Sequence, residues 1–259
     1  MTYKLEDVLT PDMFNMEYEN VQLVTKDKAK LYCYLKHARG IVIWFHGNAF
    51  NHGSELRAVK ELYHHGLVAL TVEYRGYGHN KGVPGEMGIR LDAQAAVDYV
   101  KNHPILCKLP IILYGQGLGA AVAIYTASKN RDRISALIIE NTYTSIPDLL
   151  RRPISWMCTQ KRWSSSTLPR LPAILPILVL SGRMDEYLPY THMDDLWNIA
   201  RTRGRSESSK GVPNEEYRPP PNDMFKAFPL GSHYYTCDEP GYWETIFEFL
   251  DPFIVHTIT

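Results

Sequence analysis

The stretch Pro110-Ile-Ile-Leu-Tyr-Gly-Gln-Gly-Leu-Gly-Ala-Ala-Val-Ala-Ile-Tyr-Thr-Ala-Ser128 joins an apolar run to a glycine-rich turn and then to small residues. The apolar run 111–114 predicts a buried strand, and the small residues after Gly119 predict a helix. Strand, tight turn and helix are the setting of the nucleophile elbow, whose pattern is G-x-S-x-G. Here the pattern reads Gly115-Gln-Gly-Leu-Gly119, so Gly117 stands where the elbow carries serine. The sequence predicts an elbow that lacks its hydroxyl nucleophile.

The composition indicates a chain with a substantial core and no net charge. Its 259 residues suffice for one large domain, and 28 acidic residues balance 28 basic ones. No basic tract predicts a nucleic-acid partner. The cysteines lack C-x-x-C spacing, which favours reduced cytosolic thiols over disulfides or a metal site; they are Cys33, Cys107, Cys158 and Cys237. We expect no metal and no cofactor.

The organisation of the chain predicts a single domain over residues 1–259. Residues 145–170 are irregular and too short for a separate domain, so we expect a small lid there. Residues 203–222 are rich in serine, proline and charge, and predict a flexible insertion. The start of the chain lacks a signal peptide, and no window reaches the roughly 18 to 20 apolar residues of a membrane span. We expect a cytoplasmic protein, or a membrane-associated one if an upstream anchor has been lost.

Strands that alternate with helices predict an α/β fold. The segments 21–25 and 31–35 favour a hairpin. Nearly continuous apolar runs are typical of parallel strands covered on both faces, and we predict such strands at 41–45, 68–72, 111–114, 134–139, 174–180 and 224–230. Helices are predicted at 54–65, 86–102, 193–202 and 242–255, besides the one after the elbow. We expect one mostly parallel sheet of about eight strands, with helices on both faces and right-handed crossovers.

Candidate catalytic residues follow the predicted strands, because active sites of such sheets lie at the carboxyl ends of the strands. Gly117 follows the fifth strand, Asp185 the seventh and His233 the eighth. Nucleophile, acid and histidine in this chain order are typical of α/β-hydrolases. The histidine would take the proton of the nucleophile, and the carboxylate would fix its tautomer. The order therefore predicts an Asp185–His233 pair that faces Gly117.

An oxyanion hole is predicted from two further segments. His46-Gly-Asn-Ala49 follows the third strand, and Leu118 follows the nucleophile position. Backbone N–H groups at Leu118 and near Asn48 would hold a developing negative charge on a carbonyl oxygen. We interpret His46 as a structural residue of this loop.

Six stretches of the chain carry a specific resemblance: Tyr18-Glu-Asn-Val-Gln-Leu-Val-Thr25, Phe45-His-Gly-Asn-Ala49, Tyr74-Arg-Gly-Tyr-Gly78, Leu137-Ile-Ile-Glu-Asn141, Thr144-Ser-Ile-Pro147 and Gly231-Ser-His233. Across nearly all of residues 16–255, the chain resembles the α/β-hydrolase superfamily. It is similar to the serine-esterase branch with eukaryotic α/β-hydrolase-domain protein 13 and its fungal bud-emergence relatives. The resemblance implies hydrolysis of acyl esters or thioesters and, in many members, an amino-terminal membrane anchor. Two departures from that branch are expected to matter: residues 1–18 do not predict such an anchor, and Gly117 stands in place of serine.

Gly117 leaves two functional hypotheses. Loss of a triad serine typically lowers kcat by about 10⁶, so the chain is expected to be an impaired hydrolase that binds an acyl-type ligand or lipid, or acts as a scaffold. The alternative is an esterase or thioesterase, inactivated only in this version or working through water or a substitute hydroxyl. Thr142 and Ser145 are the candidate hydroxyls, whereas we interpret Cys237 as an incidental thiol. The partner protein is not predicted.

The aromatic and basic residues at 156–163 admit two interpretations. They would cover an acyl pocket or contact a membrane surface as a peripheral site, or they would simply pack the tryptophans of a lid inward. We favour inward packing.

Overall fold

The computed structural model describes residues 10, 13, 19–35, 39–49, 55–145, 163–203 and 222–255. Within these ranges the strands are β1 Glu19–Val24, β2 Lys30–Leu35, β3 Ile41–Phe45, β4 Val68–Val72, β5 Ile111–Gln116, β6 Ile134–Glu140, β7 Ile177–Gly182 and β8 Met224–Phe228. The α-helices are α1 Leu56–His64, α2 Glu86–Asn102, α3 Leu118–Lys129, α4 Trp163–Thr167, α5 Thr191–Arg201 and α6 Tyr242–Leu250.

Six of these strands form one parallel sheet in the order β4-β3-β5-β6-β7-β8. Ile43 of β3 lies at the centre of its register, opposite Leu70 on one side and Leu113 on the other. β1 and β2 pair with each other in an antiparallel ribbon. The α/β class and the parallel sheet are confirmed, but six strands rather than about eight form it, because the first two make a sheet of their own.

The sheet is buried on both faces, which explains why its strands read as continuous apolar runs. Ile41, Ile43 and Phe45 of β3 pack on one side with buried residues of α2, α3 and α5. Val42 and Trp44 point to the opposite side, where they join buried residues of α1 and α6. Helices therefore cover both faces, as the alternation of elements predicted.

Several boundaries differ from the sequence prediction for local reasons. β7 begins at Ile177 rather than at 174, since Pro176 precedes it and Ile174 is 87% exposed. α6 ends at Leu250, and a 3₁₀ turn over Asp251–Phe253 includes Pro252, which cannot continue the helix hydrogen bonds. No helix in the described part of the chain combines the length and apolar character that crossing a membrane requires.

Some predicted segments lie outside the described residues. Of the predicted lid, Ser145 and residues 163–170 are described. Residues 156–162, for which inward packing was favoured over a pocket-covering or peripheral membrane role, lie outside the described residues. Residues 204–221 of the predicted insertion and most of residues 1–18 are also outside. The described end of the lid, α4 and the 3₁₀ turn Leu168–Arg170, places Leu168 in the same core as α3.

A buried ion pair joins Arg203, just after α5, to Asp223, just before β8. The guanidinium of Arg203 donates to Asp223, with one N–O distance of 2.9 Å, and neither side chain is exposed. Arg203 also donates to the carbonyls of Pro172 and Ala200, and Asp223 accepts the N–H of Ile177 at the start of β7. The pair therefore links the segment after α5 to the starts of β7 and β8.

We expect Asp223→Ala to lower the free energy of unfolding by about 3–5 kcal/mol, because it leaves the Arg203 charge buried and uncompensated. The exposed Asp195 provides a matched control. Asp195→Ala should change stability by less than about 0.5 kcal/mol. Urea denaturation of both variants measures the difference, and equal losses would contradict the assignment.

Candidate active site

The turn between β5 and α3 has the sharp geometry that the sequence predicted for an elbow. Gly117 lies between the last residue of β5 and the first of α3, with φ 55° and ψ −117°. Its N–H donates to the carbonyl of Glu140 at 3.0 Å, and its carbonyl accepts the hydroxyl of Thr142 at 2.6 Å. Both bonds come from the end of β6, so the backbone of the turn is held without any side chain at position 117.

The two outer glycines of the turn are required sterically. An ideally placed Cβ on Gly119 would lie 1.9 Å from the carbonyl oxygen of Phe45, and one on Gly115 would lie 2.3 Å from the carbonyl oxygen of Gly119. Gly117 differs from both. Its Cβ would meet no atom of the described residues closer than Nε2 of His233, at 3.6 Å. Position 117 therefore has room for a side chain, at the cost of a positive φ.

His233 and Asp185 form the predicted pair. Nδ1 of His233 lies 2.7 Å from Oδ2 of Asp185, and the Asp185 side chain is only 2% exposed. The other oxygen of Asp185 accepts the N–H groups of Tyr187 at 2.9 Å and Leu188 at 2.7 Å. A carboxylate held in this way accepts a hydrogen bond from the N–H of Nδ1. Nε2 is then the nitrogen with a free lone pair, and it faces Gly117.

Amide side chains at the ends of β5 and β6 anchor the histidine loop. Nε2 of Gln116 donates to the carbonyl of His233 at 2.8 Å, and Nδ2 of Asn141 donates to the same oxygen at 3.2 Å. The N–H of His233 donates to Glu186 at 3.1 Å. The positioning role of these three residues was not predicted from the sequence. For Gln116 and Asn141 the available signal was a polar residue at the end of a buried strand.

A cavity of about 390 Å³ opens at this site. Such a volume lies at the small end of the range for ligand pockets. The predicted oxyanion residues and His233 all border it, together with apolar and aromatic side chains; the lining comprises Asn48, Ala49, Gly117, Leu118, Tyr143, Tyr187, Leu188, His233 and Tyr234.

Hydrogen bonds from two tyrosines and a buried His46–Glu73 contact hold the loop after β3. The hydroxyl of Tyr77 donates to Oδ1 of Asn48 at 2.6 Å, and that of Tyr74 donates to the carbonyl of His46 at 3.1 Å. Nε2 of His46 lies 3.1 Å from Oε1 of Glu73, and both side chains are buried. Burial opposes a charge on the imidazole, but the hydrogen bond and the charge of Glu73 outweigh it and raise the pKa of His46. His46 thus holds the loop, as we interpreted it.

A second buried carboxyl, Glu140, lies beneath the elbow. Its Oε2 accepts the hydroxyls of Tyr114 and Tyr242, the latter at 2.5 Å. Burial raises the pKa of Glu140, although the two hydroxyls favour the charged form. The ring of Trp44 stacks on Tyr114 with centroids 3.7 Å apart. This cluster ties β3, β5, β6 and α6 together directly below the turn.

The candidate substitute nucleophiles are poorly placed. Thr142 and Ser145 are fully buried, and the hydroxyl of Thr142 already donates to Gly117. Burial raises the pKa of Cys237 to about 12, and this thiol is not part of the cavity lining. A thiol with so high a pKa is a poor nucleophile near neutral pH.

The parallel sheet, the elbow and the Asp185–His233 pair at the strand ends define the class of protein, which is the α/β-hydrolase fold. A family model described as Serine aminopeptidase, S33 (Hydrolase_4) matches residues 36–203. This chain belongs to that α/β-hydrolase family, and its relatives place it in the bem46-like branch. The resemblance inferred from the sequence is thereby confirmed.

The similarity to relatives extends over most of each chain. Protein bem46 of Schizosaccharomyces pombe is 38% identical over 259 residues, which cover 95% of this chain and 80% of the relative. The alpha/beta hydrolase domain-containing protein WAV2 of Arabidopsis thaliana is 30% identical over 269 residues and covers 95% and 82%. The solved structure of the Pyrococcus furiosus esterase PF2001 has a TM-score of 0.72 at 20% identity, over 95% and 94% of the chains, which shows a common fold.

The different surroundings of the elbow glycines predict different tolerance to alanine. Gly117→Ala places a methyl group at ordinary contact distances, so its cost is the backbone strain of the positive φ, about 1–3 kcal/mol. Gly119→Ala drives Cβ into the backbone of β3 and should cost more than about 4 kcal/mol. Urea denaturation compares the two variants, and a Gly119→Ala protein as stable as Gly117→Ala would contradict this view of the turn.

Proposed function

We propose that this chain is a hydrolase-family protein without covalent catalysis that binds an acyl-type ligand in the cavity beside Gly117. The observation that carries the proposal is the Asp185–His233 pair directed at a glycine. The residues predicted for the acid, the base and the oxyanion hole lie around that glycine, while position 117 itself carries no hydroxyl. A site in this state retains its binding surface and loses most of its rate.

The shape and lining of the cavity support the ligand class. Leu118, Leu188 and Tyr143 offer apolar surface to an acyl chain, and Asn48 and Leu118 would offer backbone N–H groups to its carbonyl oxygen. Short acyl groups suit a volume of about 390 Å³. If the site binds such a ligand and cannot form a covalent acyl intermediate with it, the role of the protein is binding or scaffolding.

A weak esterase is the second candidate, and the position of Nε2 of His233 favours it. A water molecule beside Gly117 would have a general base within reach, without the covalent intermediate that a serine provides. Turnover by this route should be lost in His233→Ala. An ester hydrolysis rate that this substitution leaves unchanged would remove the second candidate.

We expect Gly117→Ser to restore a reactive serine. The Cβ of the new residue would lie 3.6 Å from Nε2 of His233, so its hydroxyl reaches hydrogen-bonding distance of the base. A fluorophosphonate probe should label Gly117→Ser and leave the unaltered chain unlabelled. Gel fluorescence after timed exposure measures the rate of labelling.

Two matched variants make this labelling test specific. Gly117→Ala carries the same backbone strain without a hydroxyl and should stay unlabelled. Adding His233→Ala to Gly117→Ser should slow labelling by about 10²–10⁴, the usual contribution of a general base. Labelling of the unaltered chain, or a well-folded Gly117→Ser that resists the probe, would count against a site intact except for its nucleophile.

Ligand binding has a separate test. We expect a dansyl-labelled four-carbon fatty acid to bind the unaltered chain and to bind Ala49→Trp at least about tenfold more weakly, because the indole fills the cavity. Ala173→Trp is the control, since Ala173 is exposed and lies before the amino-terminal end of β7, whereas the cavity lies at the carboxyl ends of the strands. Fluorescence titration gives both affinities. Equal binding by all three proteins would place the ligand elsewhere.

A further inference from the structure

We infer that the site supports a second chemistry: transfer of an acyl group from an ester to a short primary alcohol, with His233 as general base. The inference rests on the proposed function, since it needs an Asp185–His233 pair that kept its geometry beside a glycine. The alcohol supplies the attacking oxygen that the chain does not encode.

Glycine at position 117 gives an incoming oxygen access to the base. The nearest atoms to a Cβ on Gly117 would be Nε2 and Cε1 of His233, at 3.6 and 3.8 Å, and the carbonyl oxygen of Asn141, at 3.9 Å. With no Cβ there, a hydroxyl oxygen can lie against Nε2 at hydrogen-bonding distance while its carbon chain extends into the cavity. Gly117 and His233 both line that cavity, so the route from solvent is direct.

Hydrogen bonds orient His233 to act as the base for an alcohol. Asp185 accepts a hydrogen bond from Nδ1–H of His233, so Nε2 presents a lone pair. Gln116 and Asn141 fix the histidine backbone, and the turn itself is held by Glu140 and Thr142. None of these contacts involves a side chain at position 117. The arrangement therefore persists without serine and is available to an external hydroxyl.

The reaction balances with the ester and the alcohol alone. The alcohol oxygen forms a bond to the acyl carbon while its proton passes to Nε2 of His233. The electron pair of the carbonyl moves to its oxygen, where the N–H groups of Leu118 and Asn48 would stabilise it. When the carbonyl re-forms, the bond to the leaving oxygen breaks, and the proton on His233 goes to that leaving group or to solvent. The products are a new ester and the released alcohol or phenol.

The lining of the cavity favours an alcohol over water as acceptor. Ala49, Leu188 and Leu118 offer apolar contacts to a short carbon chain, and water makes no such contact. Each CH₂ that leaves water for this surface should improve use of the alcohol by up to about fourfold. The cavity of about 390 Å³ must also hold the acyl group, which limits the acceptor to a short chain.

The test uses the full chain with p-nitrophenyl butyrate and 1-propanol. Propyl butyrate, quantified by gas chromatography, should form about 10² times faster than with His233→Ala. Its yield relative to butyrate should rise from methanol to ethanol to 1-propanol. Gly117→Ala should form the new ester at least tenfold more slowly, because its methyl group narrows the approach to Nε2. Thermal unfolding confirms that each variant is folded.

The outcomes separate this inference from the proposed function. If the chain yields only butyrate, or if folded His233→Ala makes propyl butyrate at the same rate, the acyl-transfer inference is overturned. Should that occur while Gly117→Ser reacts with the fluorophosphonate, the site without its nucleophile still stands. Failure of both experiments would remove the inference and the proposed function together.

Discussion

The close contact between the elbow and the neighbouring strand is the constraint on which the rest of the site depends. α3 begins so near β3 that Gly119 faces the carbonyl of Phe45 with no room for a Cβ. The chain must therefore turn within three residues, and Gly117 takes a positive φ to do so. This packing brings the end of β5, the start of α3 and the loop after β3 around one cavity.

The histidine and its carboxylate owe their positions to elements other than the elbow. Asp185 and His233 lie on the loops after β7 and β8, and amides at the ends of β5 and β6 hold the histidine backbone. A change from serine to glycine at position 117 touches none of these bonds. Glycine also relieves the backbone strain of about 1–3 kcal/mol that a nucleophile would carry there. Glycine at position 117 thus leaves these bonds in place and avoids that strain, which is the direction expected from the trade-off between active-site strain and stability.

Much of the fold and part of the site could be predicted because the signals were local. Continuous apolar runs such as 41–45 and 111–114 indicated strands buried on both faces, and Asp185 and His233 were found from their order after such strands. The hairpin of β1 and β2 was predicted, but its separation from the main sheet was not, because periodicity does not specify which strands lie beside one another. The anchoring role of Gln116 and Asn141 was missed for a related reason, since both act on a residue about 90 or more positions away.

The sequence by itself determined that a glycine occupies the nucleophile position of an elbow, and that a carboxylate and a histidine follow it in hydrolase order. These features depend on residue identity and on backbone sterics, which act over a few neighbouring residues. Only the tertiary structure decided that Nε2 of His233 faces Gly117, that Thr142 is committed to the backbone of the turn, and that Glu140 is buried against two tyrosines. Those facts depend on how distant strand ends pack together, and packing is a property of the folded chain as a whole.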